Sequence, residues 1–336
     1  MGLAELFHSM TNTHSLPSLD LDGVACYMMS PKCRRICVMA GAGISVSAGI
    51  PDFRSIATGI YNSKATTAYS SLPTPQHMFD NEYFLSDQAP FYSFFAKDLF
   101  PSATTKPTRT HHFLRLLSQK GLLTKMYTQN IDSLERLAGL PPDKIIEVHG
   151  SLATASCAEC GKSCDAQRMA KTIRRGGLPT CEKCGGAQKP DITFFGEKLP
   201  FLVREQMKLK MPDLRNCDLL LVIGTSLAVQ PFAGFIDKVP RGCPRVFVNK
   251  GAVGSGRAGE YDDKGGQHMW GALGNYRDVL LEGECDRIIL QLASKLGWMD
   301  ELNGVVKEFE GELRRNGGKV DVEGKLLGSS APVYPD

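Results

Sequence analysis

A glycine-rich segment directly follows a short apolar run near the beginning of the chain. The run Arg35–Ala40 favours a buried strand, and Gly41-Ala-Gly-Ile-Ser-Val46 comes next. Small residues at a strand end let backbone N–H groups approach a pyrophosphate, and a helix beginning there would add its positive dipole end. Ser45-Val46 stands where a dinucleotide fingerprint has its third glycine. Beyond the turn, Pro51-Asp-Phe-Arg54 adds a carboxylate, an aromatic ring and a guanidinium, which favours a nucleotide site.

Two Cys-x-x-Cys pairs, separated by twenty residues, form the second chemical pattern. Cys157 with Cys160 and Cys181 with Cys184 have the spacing of a four-thiolate zinc site. Four protein ligands leave no open position for a substrate, so the predicted zinc is structural. Two redox dithiols are the alternative, but they require a helix after each pair, and glycine follows instead.

The other cysteines have no such spacing. Cys164 is interpreted as a spare thiol or a core residue. Five more are expected to be small buried apolar residues: Cys26, Cys33, Cys37, Cys217 and Cys243. An odd total of 11 cysteines in a chain without a secretory signal favours a reduced compartment.

His149 is the histidine best placed for catalysis, between a predicted strand end and Gly150. An imidazole pKa near 6.5 suits a general base at neutral pH. His111 and His112 lie on a predicted helix and are more simply explained as surface or core residues.

Short apolar strands alternate with helical stretches along most of the chain. The predicted strands are Ile36–Ala40, Lys125–Thr128, Ile145–Glu147, Leu219–Ile223 and Arg245–Val248. The predicted helices are Thr110–Lys120, Phe201–Lys210, Phe232–Val239, Arg287–Leu296 and Met299–Arg315. This alternation indicates a Rossmann-like parallel sheet with helices on both faces.

Four predicted strands end in small or amide-bearing residues. These ends are Gly41-Ala-Gly43, Gln129-Asn-Ile-Asp132, Gly224-Thr-Ser226 and Asn249. Because ligands of such sheets gather at the carboxyl ends of the strands, we expect a nucleotide crevice there. Ordinary turn chemistry is the alternative at any one end, and Asp132 could also cap a helix over 133–138.

Two insertions and two flexible ends complete the predicted organisation. The Rossmann-like domain is assigned residues 34–55, 106–151 and 189–300. A helical lid over 56–105 and a zinc ribbon over 152–188 form a small domain. Residues 1–33 are expected to be flexible, 251–274 to form a mobile loop, and 301–336 to hold a C-terminal helix and a disordered tail.

Composition excludes some classes of protein. With a net charge of +3, nothing in the composition favours nucleic acid as a direct ligand. No apolar run reaches the roughly 18 residues of a membrane span. The first 31 residues contain no Lys or Arg, unlike a mitochondrial transit peptide. Cytoplasm is therefore the default location, and nuclear entry stays open.

Several blocks, in one order, resemble the sirtuins, the NAD-dependent protein deacylases. They are Gly41-Ala-Gly-Ile-Ser45, Gly49-Ile-Pro-Asp-Phe-Arg-Ser55, Thr128-Gln-Asn-Ile-Asp132, His149-Gly-Ser151, Lys189–Glu197, Gly224-Thr-Ser226, Val229–Ala233 and Val248-Asn249. The resemblance covers about residues 34–300 and is greatest to the cytosolic class I type. It implies NAD as a consumed co-substrate and one structural Zn²⁺.

The resemblance also assigns roles to individual residues. His149 would be the general base, and Asn130 would join it as a catalytic residue. In the implied reaction the acyl oxygen attacks the nicotinamide ribose, and His149 then helps a ribose hydroxyl attack the resulting imidate. The cofactor-binding residues would be Gly41, Ala42, Gly43, Ile44, Ser45, Val46, Asp52, Phe53, Arg54, Gln129, Asn130, Ile131, Asp132, Gly224, Thr225, Ser226, Asn249, Lys250, Gly251 and Cys285.

The acylated peptide would lie extended between two segments. The substrate-binding residues would be Phe195, Gly196, Glu197, Val229, Pro231 and Phe232. Phe91–Phe95 lacks the Tyr-x-x-Arg pair of desuccinylating sirtuins, which favours neutral acyl groups. Leu152 stands where the family commonly has an aromatic residue, and Gly251 where Glu is frequent. The implied partners are acylated-lysine proteins or peptides, such as tubulin-like cytoplasmic proteins or histones.

Three alternative functions share some of these sequence features. Mono-ADP-ribosyl transfer to protein would use the same NAD site. A dehydrogenase needs an acidic residue about 20 positions past the glycine turn, where Tyr61-Asn-Ser63 stands instead. A zinc-ribbon interaction module explains only the cysteine-containing insertion.

Overall fold

A six-stranded parallel sheet forms the centre of the computed structural model, which describes residues 15–50, 72–96, 105–251 and 275–315. Its strands are β1 (Ile36–Ala40), β2 (Leu123–Thr128), β3 (Ile145–Glu147), β7 (Leu219–Ile223), β8 (Arg245–Asn249) and β9 (Asp278–Glu282), in the order β3-β2-β1-β7-β8-β9. Every residue of β1 and β7 is buried, because helices cover both faces of the sheet. The predicted fold class is confirmed.

The strand order reverses beside β1. The chain passes from β1 to β2 and β3 on one side, then returns to β7 on the other side. Ala40 pairs with Thr128 of β2 and with Ile223 of β7, so three carboxyl ends meet at one place. A reversal of this kind opens a crevice between the loops that leave the strands.

Helices fill the layers around the sheet. They are α1 (Leu21–Met29), α2 (Asn81–Ser86), α3 (Ala89–Phe94), α4 (Arg109–Gln119), α5 (Leu134–Leu137), α6 (Ala166–Arg174), α7 (Phe201–Lys208), α8 (Pro212–Arg215), α9 (Cys285–Lys295) and α10 (Met299–Arg315). The predicted helix over 232–239 is instead a 3₁₀ helix, Phe232–Lys238. The helix expected after the glycine turn is two short 3₁₀ turns, Ala42–Ile44 and Val46–Ala48.

A smaller antiparallel sheet carries the cysteine pairs. Its strands are β4 (Gly150–Cys157), β5 (Ser163–Cys164) and β6 (Gln188–Ile192), with β4 in the middle. Aromatic rings join this sheet to α2 and α3, and Phe84 lies 5.5 Å from Phe194 in an edge-to-face contact. The separate sheet agrees with the prediction of a zinc-ribbon insertion.

Within the N-terminal segment that the composition predicted to be flexible, Leu21–Met29 forms a helix; residues 1–14 lie outside the described residues. Asp20 caps α1 by accepting a hydrogen bond from Gly23 N–H at 2.8 Å. Val24, Ala25 and Met28 are buried in the main core. The expectation of a flexible segment is therefore wrong for α1, since three apolar side chains on one face anchor it. Cys26 lies on the opposite side and is exposed, which corrects its predicted burial.

Parts of several predictions lie outside the described residues. They are most of the lid insertion, most of the 251–274 loop, and the tail from 316 onward. Among the helices of the described ranges, none has the length and apolar character needed to cross a membrane.

Candidate active site

A cavity of about 790 Å³ opens at the carboxyl ends of β1, β2 and β7. Its walls come from the glycine turn, the loop after β2, His149, the segment after β6, and the loops after β7 and β8. This volume falls in the range of small-molecule and cofactor sites. The crevice predicted from the four strand ends is therefore present, since residues of all four ends line it.

Two glycines let the backbones after β1 and β7 approach each other closely. A Cβ on Gly43 would lie 2.6 Å from Gly224 Cα, and one on Gly224 would lie 2.6 Å from Ile44 N. Gly224 also has a φ of +65°, which L side chains rarely adopt. Backbone atoms of Gly43, Gly224 and their neighbours can thus form a cradle for a pyrophosphate.

Gly224→Ala is expected to raise the Kd for NAD about tenfold or more, because the added methyl group must push the two loops apart. Isothermal titration calorimetry with NAD measures this change. Gly242→Ala is the matched control, since nothing lies within 4 Å of a Cβ there. Equal NAD affinity in the two variants would contradict the role given to the cradle.

His149 lies half-buried in the cavity wall, at the start of β4. Its Nδ1 is 3.2 Å from the Gln129 backbone oxygen. Because a carbonyl can only accept, Nδ1 carries the proton of the neutral ring, and Nε2 keeps a free lone pair. Burial lowers the pKa of His149 below its ordinary 6.5, partly offset by the Gln129 hydrogen bond. The ring is therefore neutral at pH 7 and suited to accept a proton.

Asn130 is held from two sides at the edge of the cavity. Its N–H donates to Thr128 Oγ1 at 3.0 Å, and its Nδ2 donates to Ser45 Oγ at 3.3 Å. Ser45 Oγ in turn donates to Asp132 Oδ2 at 2.7 Å. Asp132 Oδ1 accepts from Leu134 N–H at 2.9 Å at the start of α5, but the N-cap residue of that helix is Ser133, which corrects the predicted capping role of Asp132.

Asp132 therefore acts behind the cavity wall. Both of its oxygens are engaged with protein groups, and the residue is not among those lining the cavity. Gly41, Ile44 and Ser45 also lie behind the wall, where Gly41 and Ser45 shape the turn. Asp52, Phe53 and Arg54 lie outside the described residues.

The rest of the predicted cofactor site lines the cavity. Gln129 accepts from Thr225 Oγ1 at 2.7 Å, which fixes the amide between two strand ends. The other lining residues from the prediction are Ala42, Gly43, Val46, Asn130, Ile131, Gly224, Ser226, Asn249, Lys250, Gly251 and Cys285. Lys250 forms an exposed ion pair with Glu284 at 3.0 Å, so both mark the rim at the β8 end.

The segment after β6 forms the opposite wall. Phe195 is 48% exposed there, unusual for a phenylalanine and consistent with a surface that a ligand covers. Glu197 instead turns inward, where it accepts from Lys189 Nζ at 3.1 Å and from Phe194 N–H at 2.9 Å. Its side chain therefore holds the turn in shape.

The second segment predicted to bind the peptide, residues 229–232, lies partly in the cavity wall and partly in the core. Val229 and Pro231 line the cavity, but Phe232 is fully buried and packs beside His149, with ring centroids 6.4 Å apart. Phe232 is thus a support for the imidazole, which corrects its predicted contact with substrate. A 3₁₀ helix begins at Phe232 and turns its side chain inward.

Several lining residues were missed by sequence reasoning. They include Ser47, Phe79, Thr193, Leu199, Gln230, Glu284 and Asp286. Ser47 Oγ donates to Asp286 Oδ2 at 2.7 Å and so joins the glycine turn to α9. Glu284 and Asp286 flank Cys285, the residue predicted at this place, so adjacency in the sequence was the available signal.

The four predicted zinc ligands lie together at the end of β4. All four sulfurs are within 4.8 Å of one another, with 3.5 Å between Cys157 and Cys184 and 3.7 Å between Cys160 and Cys181. A disulfide requires about 2.05 Å, whereas tetrahedral zinc with 2.3 Å bonds separates sulfurs by about 3.8 Å. The donor set therefore fits one structural Zn²⁺.

Together, the sheet reversal, the glycine cradle and the thiolate cluster define a dinucleotide-binding enzyme with a structural metal module. Comparison with known proteins gives the same result: the Sir2 family profile matches residues 41–231. The chain belongs to the Sir2 family.

Similar proteins extend the match over most of the chain. NAD-dependent deacetylase sir2A of Dictyostelium discoideum is 44% identical over 85% of the chain and 54% of its own length. NAD-dependent protein deacetylase sirtuin-2 of Danio rerio is 41% identical over 94% of the chain and 82% of its own length. NAD-dependent protein deacetylase hst2 of Schizosaccharomyces pombe is 41% identical over 88% of the chain and 82% of its own length. The chain thus spans about half of the first relative and most of the other two.

Proposed function

We propose that the chain is an NAD-dependent protein-lysine deacetylase that cleaves NAD and transfers the acyl group of lysine to ADP-ribose. The reaction consumes one NAD and one water for each acyl group removed, and it yields free lysine, nicotinamide and O-acyl-ADP-ribose. Family membership and the deacetylase activity named for three relatives support this function. The single structural observation that carries it is a neutral histidine, with an unprotonated Nε2, in the wall of a dinucleotide-sized cavity.

The residues of the cavity suit the steps of such a reaction. When bound, NAD supplies the electrophilic ribose carbon and the leaving nicotinamide. Asn130 would hold the nicotinamide end, because an amide at a buried edge pairs well with another amide or a hydroxyl. His149 would take a proton from a ribose hydroxyl through Nε2. Gly43 and Gly224 would hold the pyrophosphate.

Acylated proteins are the substrates that this activity requires. We place the acyl-lysine segment between Phe195-Gly196 and Val229–Pro231, which line opposite parts of the cavity. Phe79, Ile192 and Phe194 add apolar surface there, so a neutral acyl group fits better than an acidic one. Tubulin-like cytoplasmic proteins and histones are the proposed substrate classes, and the cytoplasm, with nuclear entry, is the proposed location.

The pH dependence of the reaction follows from His149. Because burial lowers the His149 pKa below 6.5, the base stays neutral and active down to that pH. On the acid side, kcat/KM should therefore stay flat near pH 7 and begin to fall below 6.5, as the imidazole takes up a proton. Initial rates with an acetyl-lysine peptide between pH 5 and pH 9 measure this profile.

Acid unfolding must be separated from that titration. Burial lowers the pKa values of His111 and His112 to about 3 and about 4, so stability present above 6.5 is lost as pH falls toward those values. Circular dichroism at each pH identifies the range in which the protein stays folded. A midpoint above 6.5 in folded protein would contradict the assignment of His149 as a buried base.

Incubation with an acetyl-lysine peptide and a myristoyl-lysine peptide, each with NAD, tests the proposed function. Mass spectrometry should detect freed lysine and O-acyl-ADP-ribose, and their rates rank the two acyl groups. If NAD is cleaved while both peptides remain acylated, and protein gains the mass of ADP-ribose, then mono-ADP-ribosyl transfer is the better assignment. NADH formation would favour a dehydrogenase.

A further inference from the structure

A buried carboxyl group, Glu135, lies behind the nicotinamide end of the cavity and has no role in the reaction described above. Glu135 is 2% exposed on α5. Its Oε1 accepts from Thr128 Oγ1 at 2.7 Å, and the same hydroxyl accepts from Asn130 N–H at 3.0 Å. A single hydroxyl thus connects a buried carboxyl group to the backbone of a cavity residue.

Asp132 makes the same kind of connection to the Asn130 side chain. Ser45 Oγ donates to Asp132 and accepts from Asn130 Nδ2. Each hydroxyl has one proton, which it gives to a carboxyl group, so its lone pairs point toward Asn130. The two carboxyl groups together therefore fix both the backbone and the amide of this residue.

The carboxyl groups of Asp132 and Glu135 are also close to each other. One oxygen from each and one ring nitrogen of His111 all lie within 4.8 Å of one another. Thr108 N–H donates to His111 Nδ1 at 3.1 Å, so the proton of the neutral ring is on Nε2, which is buried and has no hydrogen-bond partner among the described residues. His111 is thus a neutral neighbour.

The burial of Glu135 and the nearby Asp132 carboxyl group together disfavour ionisation of both groups without a cation. Their hydrogen-bond partners are neutral: the hydroxyls of Ser45 and Thr128 and the Leu134 N–H. A bound metal is disfavoured, because both Asp132 oxygens already accept hydrogen bonds. Glu147, the next acidic group, pairs with Arg136 at 2.6 Å. A proton is the simplest counter-charge.

We propose that Glu135 is a positioning residue, which stays protonated beside the Asp132 carboxylate and fixes Asn130 through the Thr128 hydroxyl. The inference rests on the proposed function, since Asn130 matters only if NAD binds in this cavity. Burial and the Asp132 charge raise the pKa of Glu135 to about 8, in the direction that a protonated carboxyl group requires. Loss of that proton at higher pH places two charges in the cluster and loosens the site.

Three variants test this inference. Glu135→Gln keeps the acceptor for Thr128 and imitates a protonated carboxyl group, whereas Glu135→Ala removes the acceptor, and Thr128→Val removes the hydroxyl link. Glu301→Gln, on the exposed face of α10, is the matched control. For each variant we would measure the Kd for NAD by calorimetry and the inhibition constant of nicotinamide. The value of kcat/KM for NAD would be measured from pH 7 to pH 9.5.

Glu135→Ala and Thr128→Val should each weaken NAD and nicotinamide binding about tenfold, the usual effect of a lost buried hydrogen bond. The KM for the acylated peptide should not change. A general loss of structure would instead raise the KM for the peptide as well. Glu135→Gln should bind NAD as the wild type does at pH 7. It should also lack the fall in kcat/KM that the wild type shows above about pH 8.

Two results would overturn the inference. One is wild-type NAD affinity in both Glu135→Ala and Thr128→Val. The other is a Glu135→Gln variant that is as weak as Glu135→Ala or keeps the alkaline fall, because an ionised carboxylate would then be required. If Glu135→Ala does not fold, the NAD affinities and pH profiles of Thr128→Val and Glu135→Gln decide whether the inference holds. Wild-type protein that binds NAD but leaves acyl-lysine intact would contradict the proposed function and not this inference.

Discussion

Replacement of His149 by alanine should lower kcat for deacylation by about 100-fold to 10,000-fold, the usual range for a lost general base. The Kd for NAD should change little, because Gly43, Gly224 and Asn130 hold the cofactor independently of the imidazole. Single-turnover assays with an acetyl-lysine peptide measure the first effect, and calorimetry with NAD measures the second.

His77→Ala is the matched control for this prediction. His77 contacts Thr74 and Tyr83 and does not line the cavity. The His77→Ala variant should retain wild-type activity. A His149→Ala variant that retains most of its activity, while folded and able to bind NAD, would show that another group accepts the proton.

Cys157→Ser should release the zinc and unfold the small sheet. Cys157 is the last residue of β4 and Gly150 is its first, so the strand joins the thiolate cluster directly to His149. Zinc binding contributes about 10–16 kcal/mol to folding in isolated zinc fingers, and we expect a comparable contribution to the folding of this small sheet. We expect a large fall in melting temperature and loss of deacylation, although none of the four cysteines of the cluster lines the cavity.

Elemental analysis and thermal unfolding measure these effects, with Cys26→Ser as the control at an exposed cysteine outside the cluster. The wild type and Cys26→Ser should each contain one zinc per chain. An intact small sheet and full activity in zinc-free Cys157→Ser would contradict the structural role of the metal.

The strands of the large sheet could be predicted closely where the sequence is continuously apolar. Ile36–Ala40 and Leu219–Ile223 have the same bounds in the prediction and in the structure, because a strand buried on both faces must be apolar throughout. Strand β9 was missed, since Asp278-Val-Leu-Leu-Glu282 has charged ends. Its Asp278 is buried only because Arg245 pairs with it at 2.6 Å, a contact between distant segments.

The sequence predicted which residues belong to the site better than it predicted where their side chains point. Asp132 and Phe232 belong to the expected motifs, yet one points behind the wall and the other into the core. Side-chain direction depends on local backbone turns, which a linear motif does not reveal. Glu135 was not singled out at all, because its importance comes from burial beside Thr128 and His111.

The most direct test of the proposed function compares nicotinamide released with lysines freed, using wild-type enzyme, an acetyl-lysine peptide and NAD. We expect a ratio of one to one, with the acetyl group recovered on ADP-ribose and no reaction when NAD is omitted. Freed lysine with acetate as the co-product, and NAD left intact, would contradict it.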